Sequence, residues 1–474
     1  MMILTGAGWR CSSRRFAGRI CHTGRIDGMY LLPGSPLRRS GRVFAVALAT
    51  ILGACASAPP AVRLAPLPSP IAATGADAGA VAGASANVRV LAGLASDEMP
   101  IDQRFARWVA DFRVAARAAG IGEATLQVAF ADVQYLPQVV ELDRAQPEFT
   151  RTIWDYLDVA VSEQRVARGL DQMMLVRQEA EAAAARFDVP ASILVAIWGM
   201  ESNYGSNYGN TRVVDALATL GFDGRRGDWA RGQLLAALRI LQDGDIAPAQ
   251  MIGSWAGAMG QTQFLPSNFL AYAVDADGDG RRDIWGSNAD VMASTASFLA
   301  RSGWQAGQPW GTEVLLPQGF DYGQAGATTR LPSAQWAGQG VRTMDSAPLP
   351  EFADGAILLP AGARGPAFLT GPNFRAILRY NNATSYALAV VLLSQRLNGG
   401  AVVQAPWPRD LVALSRSQVL ELQTALNRRG LDSGTPDGLL GPMTREAVRR
   451  YQRSVGLPAD GYPDQILLAR LLQP

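Results

Sequence analysis

The chain has 474 residues, of which 48% are hydrophobic and 18% are charged, a balance that predicts a folded protein of two or three domains. Its 43 basic residues are all arginines, its only histidine is His22, and its three cysteines are Cys11, Cys21 and Cys55. This usage excludes lysine Schiff bases, histidine-based triads, His-rich zinc sites and a disulfide framework. Carboxylates are the strong acid–base groups that remain.

Residues 1–54 are predicted to be a secretory signal. A basic stretch that ends at Arg42 precedes the apolar run 43–52, which is too short to span a bilayer. A start at Met29 would give a signal of ordinary length. Residues 1–54 hold eight arginines and one aspartate, so the rest of the chain is net acidic. Without a basic stripe, no nucleic-acid partner is expected.

The predicted signal ends in Leu52-Gly53-Ala54-Cys55, which resembles the lipobox of bacterial lipoproteins. The resemblance implies cleavage before Cys55 and acylation of its thiol. Ala56 follows instead of an aspartate, which implies sorting to the outer membrane of a Gram-negative bacterium. The alternative is a plain signal peptide with a chance cysteine. Residues 55–96, rich in Ala, Pro and Gly, are then a lipidated N-terminus and flexible linker in the periplasm.

Helical periodicity begins at Ile101, and the apolar residues of 105–112 repeat at i, i+3, i+4 and i+7. The segment between 303 and 379 is richer in Gly and Pro and contains strand-like pieces such as Thr312 to Leu316. We therefore predict a mainly α domain over 97–400 with an irregular insertion. Further helices are predicted around 119–132, 148–187, 190–201, 230–243, 288–301 and 383–397.

The predicted helix 190–201 ends in Glu201, the candidate for acid–base chemistry. A proline suits its first turn, and nearly every residue from Ile193 to Met200 is apolar, so we expect burial on most sides. Leu194 and Ile197 lie on the same face as Glu201. Desolvation there would raise the pKa of the carboxyl and keep it protonated near neutral pH, as cleavage of a glycosidic bond requires. The alternative is a surface glutamate at a helix end.

A second stretch, 254–267, reads Ser-Trp-Ala-Gly-Ala-Met-Gly-Gln-Thr-Gln-Phe-Leu-Pro-Ser. Its glycines allow a ligand to approach the backbone closely. Ser254 and Gln263 offer neutral hydrogen-bonding groups suited to a sugar. By itself, the stretch would also fit a Gly-rich loop before a helix.

Taken together, these stretches resemble the lytic murein transglycosylases of the B type, whose catalytic domain is similar to goose-type lysozyme. Glu-Ser-Asn-Tyr-Gly at 201–205 is followed by Gly-Ala-Met-Gly-x-x-Gln-Phe-x-Pro-Ser, as in that family. The resemblance covers roughly residues 100–398, in the expected order. Two further blocks agree with it: Gln146-Pro-Glu-Phe149 with Arg165-Val-Ala-Arg-Gly169, and Tyr380-Asn381-Asn-Ala-Thr-Ser-Tyr386-Ala.

The resemblance implies that Glu201 is the lone catalytic acid and base, with no cofactor. Glu201 would protonate the glycosidic oxygen between N-acetylmuramic acid and N-acetylglucosamine. It would then accept the proton of the muramoyl 6-hydroxyl, which attacks the anomeric carbon and closes a 1,6-anhydro ring. Five positions match those that line the family's glycan cleft: Ser254, Gln263, Tyr380, Asn381 and Tyr386.

Two other functions fit parts of the sequence. A hydrolytic muramidase would use water as the nucleophile and usually needs a second carboxylate, for which Asp215 and Asp223 are weak candidates. An inactive scaffold would keep the cleft only to bind glycan. Retention of Glu201 and of all four sequence blocks argues against the scaffold.

The stretch from Asp275 to Asp283 has the oxygen-ligand spacing of an EF-hand, with glycine at the sixth position. The twelfth position is Gly286 instead of glutamate. The resemblance implies a modified calcium loop closed by a later aspartate, with no catalytic role. The alternative is a metal-free turn neutralised by Arg281 and Arg282. The candidate ligands are Asp275, Asp277, Asp279, Arg281, Asp283 and Asp290.

Residues 401–411, with Pro406-Trp-Pro408, are predicted to be a linker, and 412–474 a second domain. An amphipathic helix is followed by Asp437-Gly438, a turn that Asp460-Gly461 partly repeats. This pattern resembles the small three-helix peptidoglycan-binding module; the alternative is a helical docking or dimerisation domain. Peptidoglycan glycan strands are the expected partner, and cell-wall synthases are further candidates.

Overall fold

The computed structural model describes residues 99–145 and 151–473. The predicted signal, lipobox and linker, and the block Gln146–Phe149, lie outside the described residues. The helices are α1 (Ile101–Ala118), α2 (Glu123–Phe130), α3 (Pro137–Arg144), α4 (Ile153–Ala160), α5 (Glu163–Leu175), α6 (Arg177–Phe187), α7 (Ala191–Ser202), α8 (Val213–Asp223), α9 (Gly227–Asp243), α10 (Pro266–Tyr272), α11 (Asn288–Arg301), α12 (Ser333–Gly338), α13 (Pro372–Tyr380), α14 (Thr384–Leu397), α15 (Arg416–Arg428), α16 (Pro442–Ser454) and α17 (Gln465–Leu472). The strands are β1 (Thr211–Arg212), β2 (Ile252–Gly253), β3 (Gly311–Leu315), β4 (Arg342–Thr343), β5 (Ala356–Leu358) and β6 (Ala367–Thr370), and single 3₁₀ turns occur at Tyr322–Gln324 and Gly362–Arg364.

Helix α7 lies at the centre of the larger core. Every residue from Ser192 to Gly199 is buried, because α7 packs against α5, α6, α11 and α14. The burial expected from its all-round apolar sequence is confirmed. Glu201 lies in the last turn of this helix, so the larger core positions its backbone.

Most of the predicted helices are present, and the helical stretch predicted at 148–187 contains three helices over its described part. These are α4, α5 and α6, and the side chain of Ser162 caps the start of α5 by accepting from the backbone N–H of Arg165. Helix α8 was missed since its residues 213–221 are all buried, which removes the amphipathic period that sequence analysis detects. Helix α13 lies in the segment expected to be irregular and begins at Pro372, where proline suits the first turn.

The expected insertion is more regular than its composition indicates. It contains an antiparallel sheet in the order β4-β3-β6-β5. The strand-like stretch that begins at Thr312 corresponds to β3, in which Val314 lies opposite Thr343 of β4. Trp336 is fully buried beside the sheet, and its indole N–H donates to the carbonyl of Gly355 at 2.9 Å. A separate hydrophobic cluster therefore stabilises the insertion.

Helices α15, α16 and α17 enclose a core of their own. Gln423, which is 1% exposed, donates to Asp437 at 2.9 Å and accepts from the backbone N–H of the following glycine at 2.9 Å. Gln452 makes the same pair of bonds to Asp460 and its glycine, at 2.7 and 2.8 Å. The Asp-Gly repeat in the sequence therefore corresponds to two turns, each fastened by a buried glutamine of the preceding helix.

Among the described helices, none is long and apolar enough to cross a membrane alone. Only α6 and α7 taken together reach that length and composition, and a bend of 116° separates them.

Candidate active site

The residues after Glu201 reverse the chain abruptly. Asn203, Tyr204 and Gly205 have φ angles of 50°, 59° and 74°, all in the left-handed region. The Ser202 hydroxyl donates to a carbonyl one turn back in α7 at 3.1 Å and accepts from the backbone N–H of Gly205 at 3.0 Å. The Ser-Asn-Tyr-Gly sequence therefore ends the helix directly behind the carboxyl group.

Tyr204 folds back against α7 and fixes its end. A Cβ atom on Gly199 would lie 2.5 Å from the Tyr204 ring, so glycine is required there. The Tyr204 hydroxyl donates to the carbonyl of Arg165 at 2.9 Å, and the Arg165 guanidinium donates to the carbonyl of Gly199 at 2.5 Å. Burial raises the pKa of Tyr204 to about 12, so its hydroxyl stays a donor. These bonds tie the end of α7 to α5.

Glu201 as a whole residue is half-buried. Burial raises its pKa to about 7, while the Tyr386 hydroxyl opposes the rise. Among the described residues, no second carboxylate contributes to this shift. The direction is the one expected from the apolar face of α7, and it keeps a large fraction of the carboxyl protonated at neutral pH.

Three tyrosines from three helices face Glu201. Burial, and then the Glu201 carboxylate, raise the pKa of Tyr386 in α14, Tyr380 in α13 and Tyr156 in α4. Tyr380 donates to the carbonyl of Thr262 at 2.7 Å. The Tyr386 hydroxyl is buried, and no described group meets hydrogen-bond geometry with it, although its proximity lowers the pKa of Glu201. Such loose contacts are common in ligand-free sites and tighten when a ligand binds.

Ser254 and Gln263 are half-buried and stabilise their own loop. The Ser254 hydroxyl accepts from the backbone N–H of Ala258 at 3.1 Å. Gln263 has a φ of 51°, and its amide donates to the carbonyls of Tyr208 and Gly260 at 3.0 and 2.9 Å. The Tyr380–Thr262 bond attaches this loop to the tyrosines, so the two blocks predicted to form one cleft are joined.

The remaining carboxylates proposed from the sequence are engaged elsewhere. Asp215 is 4% exposed near the start of α8, and burial raises its pKa to about 6 although Arg212 lies 3.8 Å away. Asp223 pairs with Arg144 at 2.5 Å. Neither contributes to the pKa of Glu201.

Asn381, the remaining predicted site residue, is half-buried directly after α13, beside Tyr380.

The predicted calcium loop divides into two groups of carboxylates. Asp275, Asp277 and Asp279 each offer an oxygen within 4.8 Å of the others. Asp290 is fully buried instead, and its two oxygens accept from the backbone N–H groups of Ala276 and Asp283 at 2.7 and 2.6 Å. Asp290 therefore connects the two ends of the loop.

Asp283 and the two arginines also have defined positions. One oxygen of Asp283 accepts from the backbone N–H groups of Trp285 and Gly286, at 2.9 and 2.8 Å. Arg282 pairs with Asp245 at 2.6 Å, so it does not neutralise the three clustered carboxylates. Arg281 is exposed and its backbone N–H donates to Asp279 at 2.8 Å. The donor set of the cluster consists of hard oxygens, which suits calcium.

Residues 104–395 match the family model of the transglycosylase SLT domain. The chain belongs to the transglycosylase SLT family. Residues 415–471 match the model of the peptidoglycan binding domain, so the SLT domain is followed by a second domain of known family. The lysozyme-like, mainly α fold class predicted from the sequence is confirmed.

A curated relative carries a name that agrees with this family assignment. Membrane-bound lytic murein transglycosylase B of Escherichia coli strain K12 is 36% identical over 216 residues. The match includes 44% of this chain and 57% of the relative, so the chain spans little more than half the length of that curated protein.

Solved structures extend the similarity to most of the chain. SltB3 from Pseudomonas aeruginosa, in complex with NAG-anhNAM-pentapeptide, is 53% identical with a TM-score of 0.76, over 78% of this chain and 99% of that one. The Escherichia coli lytic transglycosylase Slt35, in complex with calcium, is 30% identical with a TM-score of 0.53, over 62% of this chain and 92% of that one.

Two side chains near α7 and Glu201 were not predicted from the sequence. Gln261 lies inside the second motif, where it accepts from the Trp198 indole at 2.7 Å and donates to the carbonyl of Trp285 at 2.7 Å. The second motif contains Gln261, but the sequence pattern does not predict that its side chain binds Trp198 of α7. Tyr156 faces Glu201 from α4, and no sequence pattern distinguishes it from a core residue of an amphipathic helix.

The raised pKa of Glu201 predicts that Glu201→Gln stabilises the protein in a pH-dependent manner. Below the unfolded-state pKa of about 4.5, the carboxyl is neutral in both the folded and the unfolded state, so its burial does not lower the free energy of unfolding. As the pH rises, ionisation in the unfolded state destabilises the fold, and this destabilisation is complete above about pH 7. We expect the free energy of unfolding to rise by about 1–3 kcal/mol at pH 8 and to change little at pH 4.

Denaturant titrations at the two pH values test this expectation. Glu181→Gln is the control, because Glu181 forms an exposed pair with Arg177 and should change stability by less than about 0.5 kcal/mol at either pH. Equal stabilisation by Glu201→Gln at pH 4 and pH 8 would contradict the raised pKa.

Proposed function

We propose that this transglycosylase SLT family member is a lytic transglycosylase that cleaves the β-1,4 bond between N-acetylmuramic acid and N-acetylglucosamine in peptidoglycan. Glu201 protonates the glycosidic oxygen, and the C–O bond to the anomeric carbon breaks. The same carboxylate then takes the proton of the muramoyl 6-hydroxyl as its oxygen bonds to that carbon. The product is a 1,6-anhydromuramic acid end, formed without water.

The observation that carries this proposal is the single protonatable carboxyl at the end of a buried helix. A pKa of about 7 lets Glu201 act first as an acid and then as a base at neutral pH. Hydrolytic glycosidases usually place two carboxylates around the bond, whereas no described carboxylate contributes to the pKa of Glu201. The complexes of the SltB3 relative with NAG-anhNAM- and NAG-NAM-pentapeptide support the same substrate class for this chain.

The residues around Glu201 suggest how the sugar is held. Tyrosine rings stack on sugar faces, and hydroxyls accept or donate to their oxygens. We propose that Tyr380 and Tyr386 bind the glycan beside Glu201, with Asn381, and that Ser254 and Gln263 do so from the loop opposite. The hydroxyl of Tyr386 supports its part, because it is buried beside Glu201 and no group of the described residues meets full hydrogen-bond geometry with it.

Digestion of purified peptidoglycan tests the reaction. We expect products that end in 1,6-anhydromuramic acid by mass spectrometry, and a loss of at least about 100-fold in rate for Glu201→Gln. Asp215→Asn and Asp223→Asn should keep their turnover, because neither side chain takes part. Reducing ends, together with a large loss in one of these variants, would establish the hydrolase, and tight sacculus binding without release would establish the scaffold.

We propose that the 275–283 loop holds a structural calcium. Three aspartates cluster, Arg282 pairs with Asp245 instead of with them, and the Slt35 relative was solved with calcium. Asp275, Asp277 and Asp279 would provide carboxylate oxygens and Arg281 a backbone carbonyl, as EF-hand spacing predicts. Ligation by Asp283 and Asp290 stays a prediction.

Thermal unfolding with and without calcium tests this site. At a calcium concentration ten times Kd we expect a stabilisation of about 1.4 kcal/mol, which chelation removes. Asp277→Asn should abolish the shift, whereas Arg281→Ala should keep it because only its carbonyl would bind. An unchanged melting temperature in excess calcium would leave the loop as a metal-free turn.

We propose that the protein is a periplasmic lipoprotein of the outer membrane, anchored through acylated Cys55. The lipobox-like sequence supports this location, as does the membrane-bound name of the Escherichia coli relative. Peptidoglycan lies within reach of an enzyme tethered there, and so do cell-wall synthases, which we keep as candidate partners.

Fractionation of cells tests the anchor. Cys55→Ala should move the protein from the outer-membrane fraction to the soluble periplasm, whereas Cys21→Ala should not, because Cys21 precedes the proposed cleavage site. Mass spectrometry that finds an unmodified Cys55 in membrane fractions would argue against acylation.

A further inference from the structure

The segment between the two domains is fastened to α4. The ring centroids of Trp407 and Trp154 lie 6.3 Å apart. Both nitrogens of the Arg409 fork pair with the carboxylate of Asp158, at 2.7 and 2.9 Å. Leu411 is buried in the same cluster as Trp154. The linker therefore runs along one side of α4 and contacts it through three successive odd-numbered residues.

The linker is also held at both of its ends. The backbone N–H groups of Gln404 and Ala405 donate to the two oxygens of Glu313 in β3, at 2.8 and 2.7 Å. Asp410 accepts two bonds from Arg364, both of 2.9 Å. These contacts fix the linker to the insertion independently of α4.

The C-terminal domain takes part in the same junction. Tyr462 packs against the cluster that contains Trp154. One oxygen of Asp460 accepts from the backbone N–H of Ala363 at 2.7 Å, while the other stays bonded to Gln452 within its own domain. The position of α4 is thus connected to that of the C-terminal domain.

The other side of α4 belongs to the site. At about 100° per residue, Trp154 and Asp158 share one face of the helix, and Tyr156 lies about 160–200° away from them. Tyr156 packs against the main core, and α4 packs against α14, the helix that carries Tyr386. Burial, and then the charge of the Glu201 carboxylate, raise the pKa of Tyr156. Helix α4 therefore contacts the linker on one face and carries Tyr156 on the opposite face.

We propose that Trp407 and Arg409 are positioning residues, which hold α4 so that Tyr156 closes the site beside Glu201 and thereby couple the seating of the C-terminal domain to catalysis. This inference rests on the proposed function, because it concerns the same glutamate. No described contact joins either residue to Glu201. Arg409 contacts Asp158 of α4, and Trp407 packs both on Trp154 of α4 and against the main core.

The Arg409–Asp158 ion pair and the Trp407–Trp154 contact are expected to stabilise the position of α4 unequally. Asp158 and Arg409 have side chains 51% and 56% exposed, and exposed pairs contribute little. Trp407 is half-buried against the fully buried Trp154, and aromatic pairs add to the effect of apolar burial. Trp407 is therefore the main contact, and the ion pair sets the register between the linker and α4.

The experiment uses the full chain in detergent and a soluble glycan of four sugars as the substrate. Trp407→Ala should lower kcat about 3- to 30-fold, because a small displacement of side chains that line an active site slows the reaction. KM should change less. Trp407→Phe should restore most of the rate, because a ring still packs on Trp154.

The pH profile separates positioning from mere stability. Within the described part of the chain, the titratable groups that face Glu201 are Tyr156, Tyr380 and Tyr386, and Arg165 faces Tyr156. If Tyr156 moves outward, water reaches the carboxyl and its desolvation decreases. In the pH profile of kcat, the alkaline limb of Trp407→Ala should therefore move to lower pH. Asp410→Ala, in the same linker but without contact to α4, should leave both kcat and the limb unchanged.

Charge reversal provides a second route if Trp407→Ala fails to fold. Arg409→Asp should repel Asp158 and shift the limb in the same direction, and adding Asp158→Arg should restore it. A melting temperature that falls while kcat and the limb stay at wild-type values would overturn the proposal. Failure of the proposed function is distinct, because wild-type protein would then release no 1,6-anhydro product.

Discussion

The desolvation of one carboxyl group is the constraint on which the site depends. Burial raises the pKa of Glu201 to about 7, and burial is possible because α7 is apolar on every side. An amphipathic helix would place the same glutamate in water, where its carboxyl would be ionised at neutral pH. The helices around α7 therefore determine the chemistry as well as the stability of the domain.

The turn behind Glu201 is held in a conformation that costs free energy. Asn203 and Tyr204 are left-handed without being glycine, at roughly 1–2 kcal/mol each. The burial of the Tyr204 ring against Gly199 offsets this cost, since burying an aromatic side chain contributes about 1.5–3 kcal/mol. The Ser-Asn-Tyr-Gly sequence is thus largely a device for ending α7 directly behind Glu201.

The sequence predicted the parts of the site that rely on local pattern. Helix α7, its acid and the glycine-rich loop are visible because each combines a composition with a turn signal within a dozen residues. Helix α8 was not visible, because burial on all sides removes periodicity. Tyr156 was missed for another reason: its closeness to Glu201 arises from the packing of α4 on α14, a contact between elements that are far apart in sequence.

The insertion shows how a segment of irregular composition can organise two domains. Its sheet carries Glu313, which holds the start of the linker, and its second 3₁₀ turn carries Ala363, which binds Asp460 of the C-terminal domain. Asp460 uses its second oxygen for Gln452, so the same carboxylate fastens its own turn and the domain contact. The equivalent Asp437 bonds only within its own domain among the hydrogen bonds of the described residues. The two Asp-Gly turns therefore differ in their contacts, because only the second turn binds the insertion. This contact helps to fix the orientation of the C-terminal domain beside α4.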